Sequence, residues 1–132
     1  MAIQLSVVTP RGEVFDGPVD QVVLPGSEGE FGVLQAHERT LAPLKPGRVQ
    51  IQTAGAVEWA VVSDGFADVS AEQVVVLVDA CHLASEIDRA ATERDRERIQ
   101  AELHALGGSE QDAARRAGLE QELAFADLLL SV

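Results

Sequence analysis

The spacing of apolar residues changes once along this chain of 132 residues. Between Ile3 and Val78 apolar side chains alternate with polar ones or fall in short runs, which is typical of β-strands, whose side chains point alternately to opposite faces. After Ala84 apolar residues recur every three or four positions, which is typical of amphipathic helices. We therefore expect a β-domain over residues 1–84 and a helical domain over residues 85–132.

Turn-forming sequences interrupt the strand-like part at short intervals: TPRGE, DGPVD, LPGSEG, KPGR, TAGA and SDGF. Short strands interrupted this evenly favour an antiparallel β-sandwich or barrel. The clearest predicted hairpin is RVQIQTAGAVEWAVV, in which two alternating segments flank TAGA.

The helical part predicts an antiparallel helix-turn-helix. Ser85 is the expected N-cap of a first helix that runs to Leu106, about 33 Å at 1.5 Å per residue. Gly107 and Gly108 should end this helix, and Ser109 should cap a second one. The apolar stripe of the second helix consists of Leu119, Leu123, Ala126 and Leu130.

Charge and composition exclude several classes of function. The formal net charge is -12 and the pI is about 4.5, so nucleic acid and anionic lipid would be repelled. No apolar run approaches the roughly 20 residues of a membrane-spanning helix, so no direct membrane insertion is expected. The single cysteine, Cys81, allows no internal disulfide and should lie on the opposite strand face from His82. Because His37, His82 and His104 are scattered, we expect no metal site, cofactor or catalytic centre.

The most distinctive short segment is GSEGEFGVLQAH, residues Gly26–His37, with glycines at 26, 29 and 32. A glycine-rich loop of this kind either cradles a phosphate or lets the backbone turn tightly. Phosphate-binding loops precede a helix and usually carry a lysine, whereas this segment carries Glu28 and Glu30 and lies among strands. It is therefore interpreted as a glycine-rich connection inside the β-domain.

Together these segments resemble the epsilon subunit of the F-type ATP synthase over essentially the whole chain. The resemblance rests on LSVVTPRGEVFDGPVDQVVLPGSEGEFGVLQAH, LAPLKPG, SDGFADVSAEQVVVLVDAC and the helical hairpin. Its most specific part is GSEGEFG, followed by His37 and by LKPG. Two residues depart from the family pattern. Arg39 stands where proline is frequent, and Asp64 replaces one glycine of the pair before Phe66.

The resemblance implies a non-catalytic central-stalk subunit that couples ion flow to ATP synthesis. It would be peripheral to the cytoplasmic face of the bacterial plasma membrane. In the family the glycine segment contacts the membrane rotor ring and the gamma shaft. Two carboxylates at such an interface fix the register of the partners more than they raise the binding affinity. The interface residues implied here are Gly26, Glu28, Gly29, Glu30, Gly32 and His37.

The resemblance also implies that the helical hairpin regulates ATP hydrolysis by extending toward an acidic segment of the catalytic alpha/beta subunits. The residues implied in that role are Asp88, Arg89, Arg94, Arg96 and Arg98. The charges alone fit equally well a solvated helix with pairs such as Asp95 and Arg98. The ATP-binding motif of some family members is incomplete, because Ala91 and Thr92 stand where Arg and Ala are needed. The alternative function is a free-standing β-sandwich binding module that dimerises through its hairpin.

Overall fold

The structure, a computed structural model, describes residues 3–33 and 39–132. Its contacts group the chain up to Glu86 into one compact unit and Ile87–Ser131 into a second. Strands build the first unit and two helices build the second. The predicted fold class, a β-sandwich or barrel followed by an α-helical hairpin, is confirmed.

The described part of the β-unit contains ten strands and a final 3-10 turn. The strands are β1 (Ile3–Thr9), β2 (Gly12–Val19), β3 (Gln21–Gly26), β4 (Gly29–Val33), β5 (Thr40–Leu44), β6 (Gly47–Thr53), β7 (Ala56–Val62), β8 (Gly65–Val69), β9 (Gln73–Val78) and β10 (Cys81–Leu83). The turn spans Ala84–Glu86.

These strands form one strongly curled sheet in the order β10-β7-β6-β3-β5-β8-β9-β1-β2, with β4 paired to β3. β2, at one end of this order, also contacts β6 and β10 near the other end, so the sheet nearly closes on itself. The described neighbours pair antiparallel except β1 and β9, which are parallel. This arrangement hides most strand edges, which would otherwise be open to pairing with other chains.

The core follows from the alternation seen in the sequence. Inward-facing aliphatic residues of the strands are fully buried, among them Ile3, Leu5, Val22, Leu24, Val33, Val49, Val69, Val74 and Val76. Each such side chain contributes about 1.5–3 kcal/mol relative to an exposed one. The sandwich is therefore a well-packed scaffold that holds its turns and outer faces in fixed positions.

The predicted hairpin around TAGA is present as β6 and β7. Its two turn residues have positive φ, 50° at Ala54 and 81° at Gly55, as in the type I′ turn that two-residue hairpins favour. The backbone amide of Ala54 donates to Asp20 Oδ2 at 2.8 Å. Ala54 thus occupies a left-handed conformation that favours glycine or asparagine.

The helical unit consists of α1 (Arg89–Ala105) and α2 (Glu110–Leu130). The prediction of Ser85 as the first N-cap is wrong. Ser85 lies in the 3-10 turn, whereas the Asp88 carboxylate accepts from the Ala91 amide at 3.1 Å and caps α1. Because α1 begins four residues later than expected and ends before Leu106, it measures about 26 Å.

The link between the helices was predicted correctly. α1 ends just before Gly107 and Gly108, which cannot sustain a helix as other residues do. The Ser109 hydroxyl accepts from the Asp112 amide at 3.0 Å and caps α2. The Asp112 carboxylate in turn accepts from the Gly107 amide at 2.8 Å, so the connection is held by its own polar groups.

Candidate interaction surfaces

The glycine-rich segment folds into a tight β-hairpin. β3 and β4 pair in register as far as Gly26 and Gly29, and Ser27 and Glu28 form the two-residue turn between them. A Cβ atom on Gly26 would lie 2.7 Å from the Gly29 carbonyl oxygen and 2.9 Å from the Phe31 ring. Gly29 itself has a φ of 135°, which other residues rarely adopt. Both glycines are thus required by the backbone.

The tip of this hairpin is exposed and negatively charged. Glu28, Gly29, Glu30 and Gly32 are exposed, whereas Gly26 is buried. The Glu28 and Glu30 carboxylates have no hydrogen-bond or ion-pair partner within residues 3–33 and 39–132. The last predicted interface residue, His37, lies outside the described residues. The hairpin therefore offers two available carboxylates, Glu28 in the turn and Glu30 at the start of β4.

A second surface, which the sequence interpretation missed, lies on the outer side of β5, β8, β9 and β1. Phe66 pairs with Pro43 on one side and Leu77 on the other, and Leu77 pairs with Val8. Leu41 lies two residues before Pro43 and so points to the same side. We call Val8, Leu41, Pro43, Phe66 and Leu77 the apolar face. Its three largest side chains are 67% (Leu41), 51% (Phe66) and 50% (Leu77) exposed.

Carboxylates surround the apolar face. Asp64 precedes Phe66 by two residues, Asp68 follows it by two, and Asp79 follows β9. None of these three carboxylates has a partner in the described part of the chain. A shallow groove of about 490 Å³ is lined by residues of this surface, among them Asp64, Phe66, Leu77 and Asp79. The surface therefore combines apolar contact area with unneutralised negative charge.

The two surfaces are joined through β5. The Ser27 amide, at the tip of the glycine hairpin, donates to the Pro43 carbonyl oxygen at 3.0 Å. The Lys45 amide donates to the Pro25 carbonyl oxygen, also at 3.0 Å. Because Pro43 is also the β5 neighbour of Phe66, the charged tip and the apolar face form one continuous region of the sandwich.

The arginines of α1 differ in what they contact. Arg96 Nε donates to Asp127 Oδ1 at 2.6 Å, and Arg89 Nη1 donates to the Leu130 carbonyl oxygen at 3.2 Å. These two contacts join α1 to α2, as does an ion pair between Glu102 and Arg115 at 3.6 Å. Arg98 stays on its own helix, at 3.1 Å from Glu102 and at 4.0 Å from Asp95, the pair expected from the sequence. The Asp88 carboxylate caps α1.

Arg94 is exposed and has no partner within the described residues. Its guanidinium is thus available to a partner. Four arginines were named from the sequence. Two of them bind the other helix, one forms ion pairs along its own helix, and one has no hydrogen-bond or ion-pair partner in the described chain.

The described residues show no arrangement typical of a catalytic or metal centre. Cys81 is buried and His82 is exposed, as expected for neighbours in a strand. Burial, reinforced by repulsion from Glu86, raises the pKa of the Cys81 thiol to about 11, so a reactive thiolate is disfavoured. No group of three potential metal ligands occurs among the described residues, and no described helix is long and apolar enough to span a membrane.

Comparisons with known proteins agree with this geometry. Residues 2–84 match the family model of the ATP synthase, Delta/Epsilon chain, beta-sandwich domain. The ATP synthase epsilon chain of Alkalihalophilus pseudofirmus is 43% identical over 103 residues, which cover 75% of this chain and 77% of that one. The epsilon chain of Staphylococcus haemolyticus is 35% identical over 129 residues, 96% of this chain and 97% of that one.

Solved structures give the same answer for the fold. A chain in the mitochondrial ATP synthase of Euglena gracilis (OSCP/F1/c-ring) superposes with a TM-score of 0.80 at 26% identity, over 98% of this chain and 80% of that one. A chain in the central stalk and c-ring of the Tetrahymena thermophila mitochondrial enzyme superposes with a TM-score of 0.62 at 16% identity, which supports the fold alone. Because residues 2–84 match the family model and the named relatives cover 75% and 96% of it, this chain belongs to the family of ATP synthase epsilon chains.

Proposed function

We propose that this chain is a non-catalytic central-stalk subunit of an F-type ATP synthase, peripheral to the cytoplasmic face of the bacterial plasma membrane. It couples rotation of the membrane ring to the catalytic head. Family membership supports this role, and the observation that carries it is the continuous region formed by the glycine hairpin and the apolar face. A coupling subunit has to bind two partners at once, and this region offers two different kinds of contact side by side.

In this proposal the hairpin tip contacts the membrane rotor ring. The carboxylates of Glu28 and Glu30 are exposed and unpaired within the described residues, so they can complement polar or basic loops of the ring. Charge pairs of this kind fix register and partner choice more than they raise affinity. The tight turn brings the two carboxylates close together in the chain, because Gly26 and Gly29 allow the strand to reverse within two residues.

The apolar face packs against the gamma shaft. Monomeric proteins seldom expose large apolar side chains in one contiguous patch without a partner for them. Asp64, Asp68 and Asp79 surround this patch and are unpaired in the described chain, so the matching segment of the shaft should carry lysine or arginine beside its own apolar side chains.

The helical hairpin restrains ATP hydrolysis by presenting basic side chains of α1 to an acidic segment of the catalytic alpha/beta subunits. The arginines support this role, because the exposed ones are the natural partners of carboxylates. The strength of the restraint depends on how readily the hairpin releases the arginines that contact α2.

The apolar face gives the sharpest test of the coupling role. Replacing Leu77 with serine removes apolar contact area from the face, and replacing Val57 with serine does the same on β7, away from it. The two positions are matched, with Leu77 50% and Val57 49% exposed. We expect Leu77→Ser to weaken binding of the isolated chain to the gamma-containing head about tenfold, with Val57→Ser within twofold of the unchanged chain.

Binding is measured by titrating the chain into heads depleted of it, and the fold of each variant is checked by Trp59 fluorescence. Equal binding by both serine variants, with both folded, would refute the placement of the shaft contact. A chain that forms a self-sufficient dimer and does not bind the head at all would instead support the free-standing binding module.

A further inference from the structure

The seam of the helical hairpin carries charge where a stable helix pair carries apolar side chains. Arg89, Thr92, Arg96 and Ile99 follow one another at steps of three, four and three, the spacing of the inner positions of paired helices. Arg89 and Arg96 both reach α2, at the Leu130 carbonyl oxygen and at Asp127. The same spacing continues to Leu103, so two of the five seam positions of α1 are arginines bound to the partner helix.

The rest of the seam is thin. Thr92 and Ile99 are the only buried residues of α1, and Leu119 and Ala126 are the only ones of α2, both helices lying wholly in the described chain. Polar residues at inner positions of paired helices lower stability while fixing which helices pair and in which register. With so little apolar burial, the polar contacts between α1 and α2 weigh heavily in how the closed hairpin compares with an open one. They are the two arginine contacts and an ion pair between Glu102 and Arg115 at 3.6 Å.

The Arg96–Asp127 pair is well placed to act as a switch. Its atoms are 2.6 Å apart, yet the two side chains remain 39% and 52% exposed, so a competing carboxylate or salt can reach them. An exposed ion pair typically changes an equilibrium constant by at most about fivefold. Such a contact can favour the closed hairpin without preventing it from opening.

We propose that Arg96–Asp127, supported by Arg89 on the Leu130 carbonyl oxygen, is an ionic latch that keeps α1 and α2 together. Release of the latch opens the hairpin and frees both guanidinium groups for an acidic surface of a partner. Arg94 is exposed and has no partner among the described residues, so it can contact that surface while the latch is still closed. The latch itself stands on the contacts within the hairpin, whereas the partner surface rests on the proposed function.

The latch is tested in the full-length isolated chain by amide hydrogen exchange of α1 and α2. Arg96→Asp and Asp127→Arg each replace attraction by repulsion, and each should speed exchange in both helices at least threefold. The double variant Arg96→Asp/Asp127→Arg restores an opposite-charge pair and should return exchange to within twofold of the unchanged chain. Arg94→Asp makes the same charge change two residues away and should leave exchange unchanged.

A latch also predicts a response to salt. Raising NaCl from 0.05 to 0.5 M should speed exchange in the unchanged chain and in the double variant, but not further in either single variant. Failure of the double variant to restore slow exchange, or an equal effect of Arg94→Asp, overturns the latch. Exchange in the β-unit serves as the internal reference and should stay constant.

The regulatory consequence has a separate readout in the assembled ATP synthase. Asp127→Asn removes the partner of Arg96 without adding a charge, so it should lower the ATP hydrolysis rate two- to fivefold. The rate should recover when Arg96 is also replaced by glutamine. If Asp127→Asn opens the hairpin in the exchange experiment but leaves hydrolysis unchanged, the latch is upheld and the proposed restraint of hydrolysis is refuted.

Discussion

Replacing Gly65 with alanine should destabilise the β-unit more than any other single-methyl change in it. Gly65 is the first residue of β8 and pairs with Leu44 of β5 and Val78 of β9. A Cβ atom at Gly65 would lie 2.0 Å from the Leu77 carbonyl oxygen and 2.8 Å from Val78 Cγ1. The first of these neighbours is backbone, so it cannot move aside as the end of a flexible side chain can.

The size of the effect follows from that distance. Carbon and its non-bonded neighbours prefer separations of about 3.5 Å, so β8 and β9 would have to separate by roughly 1 Å or more at this point. Overpacking of this kind costs about 1–3 kcal/mol, and weakening a strand hydrogen bond adds about 1 kcal/mol. We therefore expect a loss of about 2–4 kcal/mol in the free energy of unfolding for Gly65→Ala.

Urea unfolding followed by the fluorescence of Trp59 measures this loss, because Trp59 is the single tryptophan and lies in the β-unit. Gly17→Ala is the matched control, since a Cβ there would meet only the Phe15 ring, at 4.0 Å. It should be neutral or slightly stabilising, because alanine reduces the freedom of the unfolded chain. Equal stability of the Gly65 and Gly17 variants would refute the steric argument.

Four further predictions concern other parts of the chain. Ala54→Asn should stabilise the β-unit by about 0.5–1 kcal/mol in urea unfolding, because asparagine tolerates the positive φ of this turn. The free energy of unfolding should fall by roughly 1–3 kcal/mol as pH rises from about 9 to about 11, because the Cys81 thiol keeps its proton to higher pH in the folded state than in the unfolded state. A Cys81→Ala variant should lack this loss. Glu28→Lys together with Glu30→Lys should lower ion-driven ATP synthesis in reconstituted membranes while Trp59 fluorescence stays native, and an unchanged rate would contradict a rotor contact at the tip. The isolated chain should not bind ATP at millimolar concentrations, because Ala91 offers no guanidinium, and saturable heat in calorimetric titration would refute this.

Much of the fold was predictable because it depends on local signals. The single change of apolar spacing predicted both parts of the chain, and the turn sequence TAGA predicted the hairpin of β6 and β7. Ser109 was recognised as an N-cap from its place after two glycines. The parallel pairing of β1 with β9 was not predictable in this way, because it joins segments far apart in the chain.

Two errors have clear physical causes. Ser85 and Asp88 are both good capping residues, and the sequence does not say which of them will adopt the extended backbone of an N-cap. In the structure Ser85 lies in a 3-10 turn and Asp88 is the N-cap. The apolar face was overlooked because the run VVVLV was interpreted only as a β-strand, without a prediction of which side chains face outward. A run without polar residues places apolar side chains on both faces, and here Leu77 is on the outer one.

The glycine segment shows where sequence reasoning predicted the local structure but not its geometry. Two carboxylates and a strand context argued against a phosphate site, and the segment is indeed a turn between strands. Its description as a connection was too loose, because Gly26 and Gly29 face each other as the last pair of a regular hairpin. Gly26 is necessary because a Cβ atom there would lie too close to the opposite strand. No rule based on a single sequence supplies that distance.

The arginines of α1 show the same limit of sequence reasoning, because the sequence does not say which of them contacts α2. Arg94 and Arg96 are two residues apart, have the same chemistry and would be equivalent in any count of charges. Two residues on a helix are about 200° around its axis, however, so one side chain can reach α2 while the other points to solvent. Arg96 forms an ion pair with Asp127, and Arg94 has no hydrogen-bond or ion-pair partner among the described residues. Which of the two is available to a partner is therefore set by the geometry of the hairpin, and in the proposed latch Arg96 becomes available as well once α1 and α2 separate.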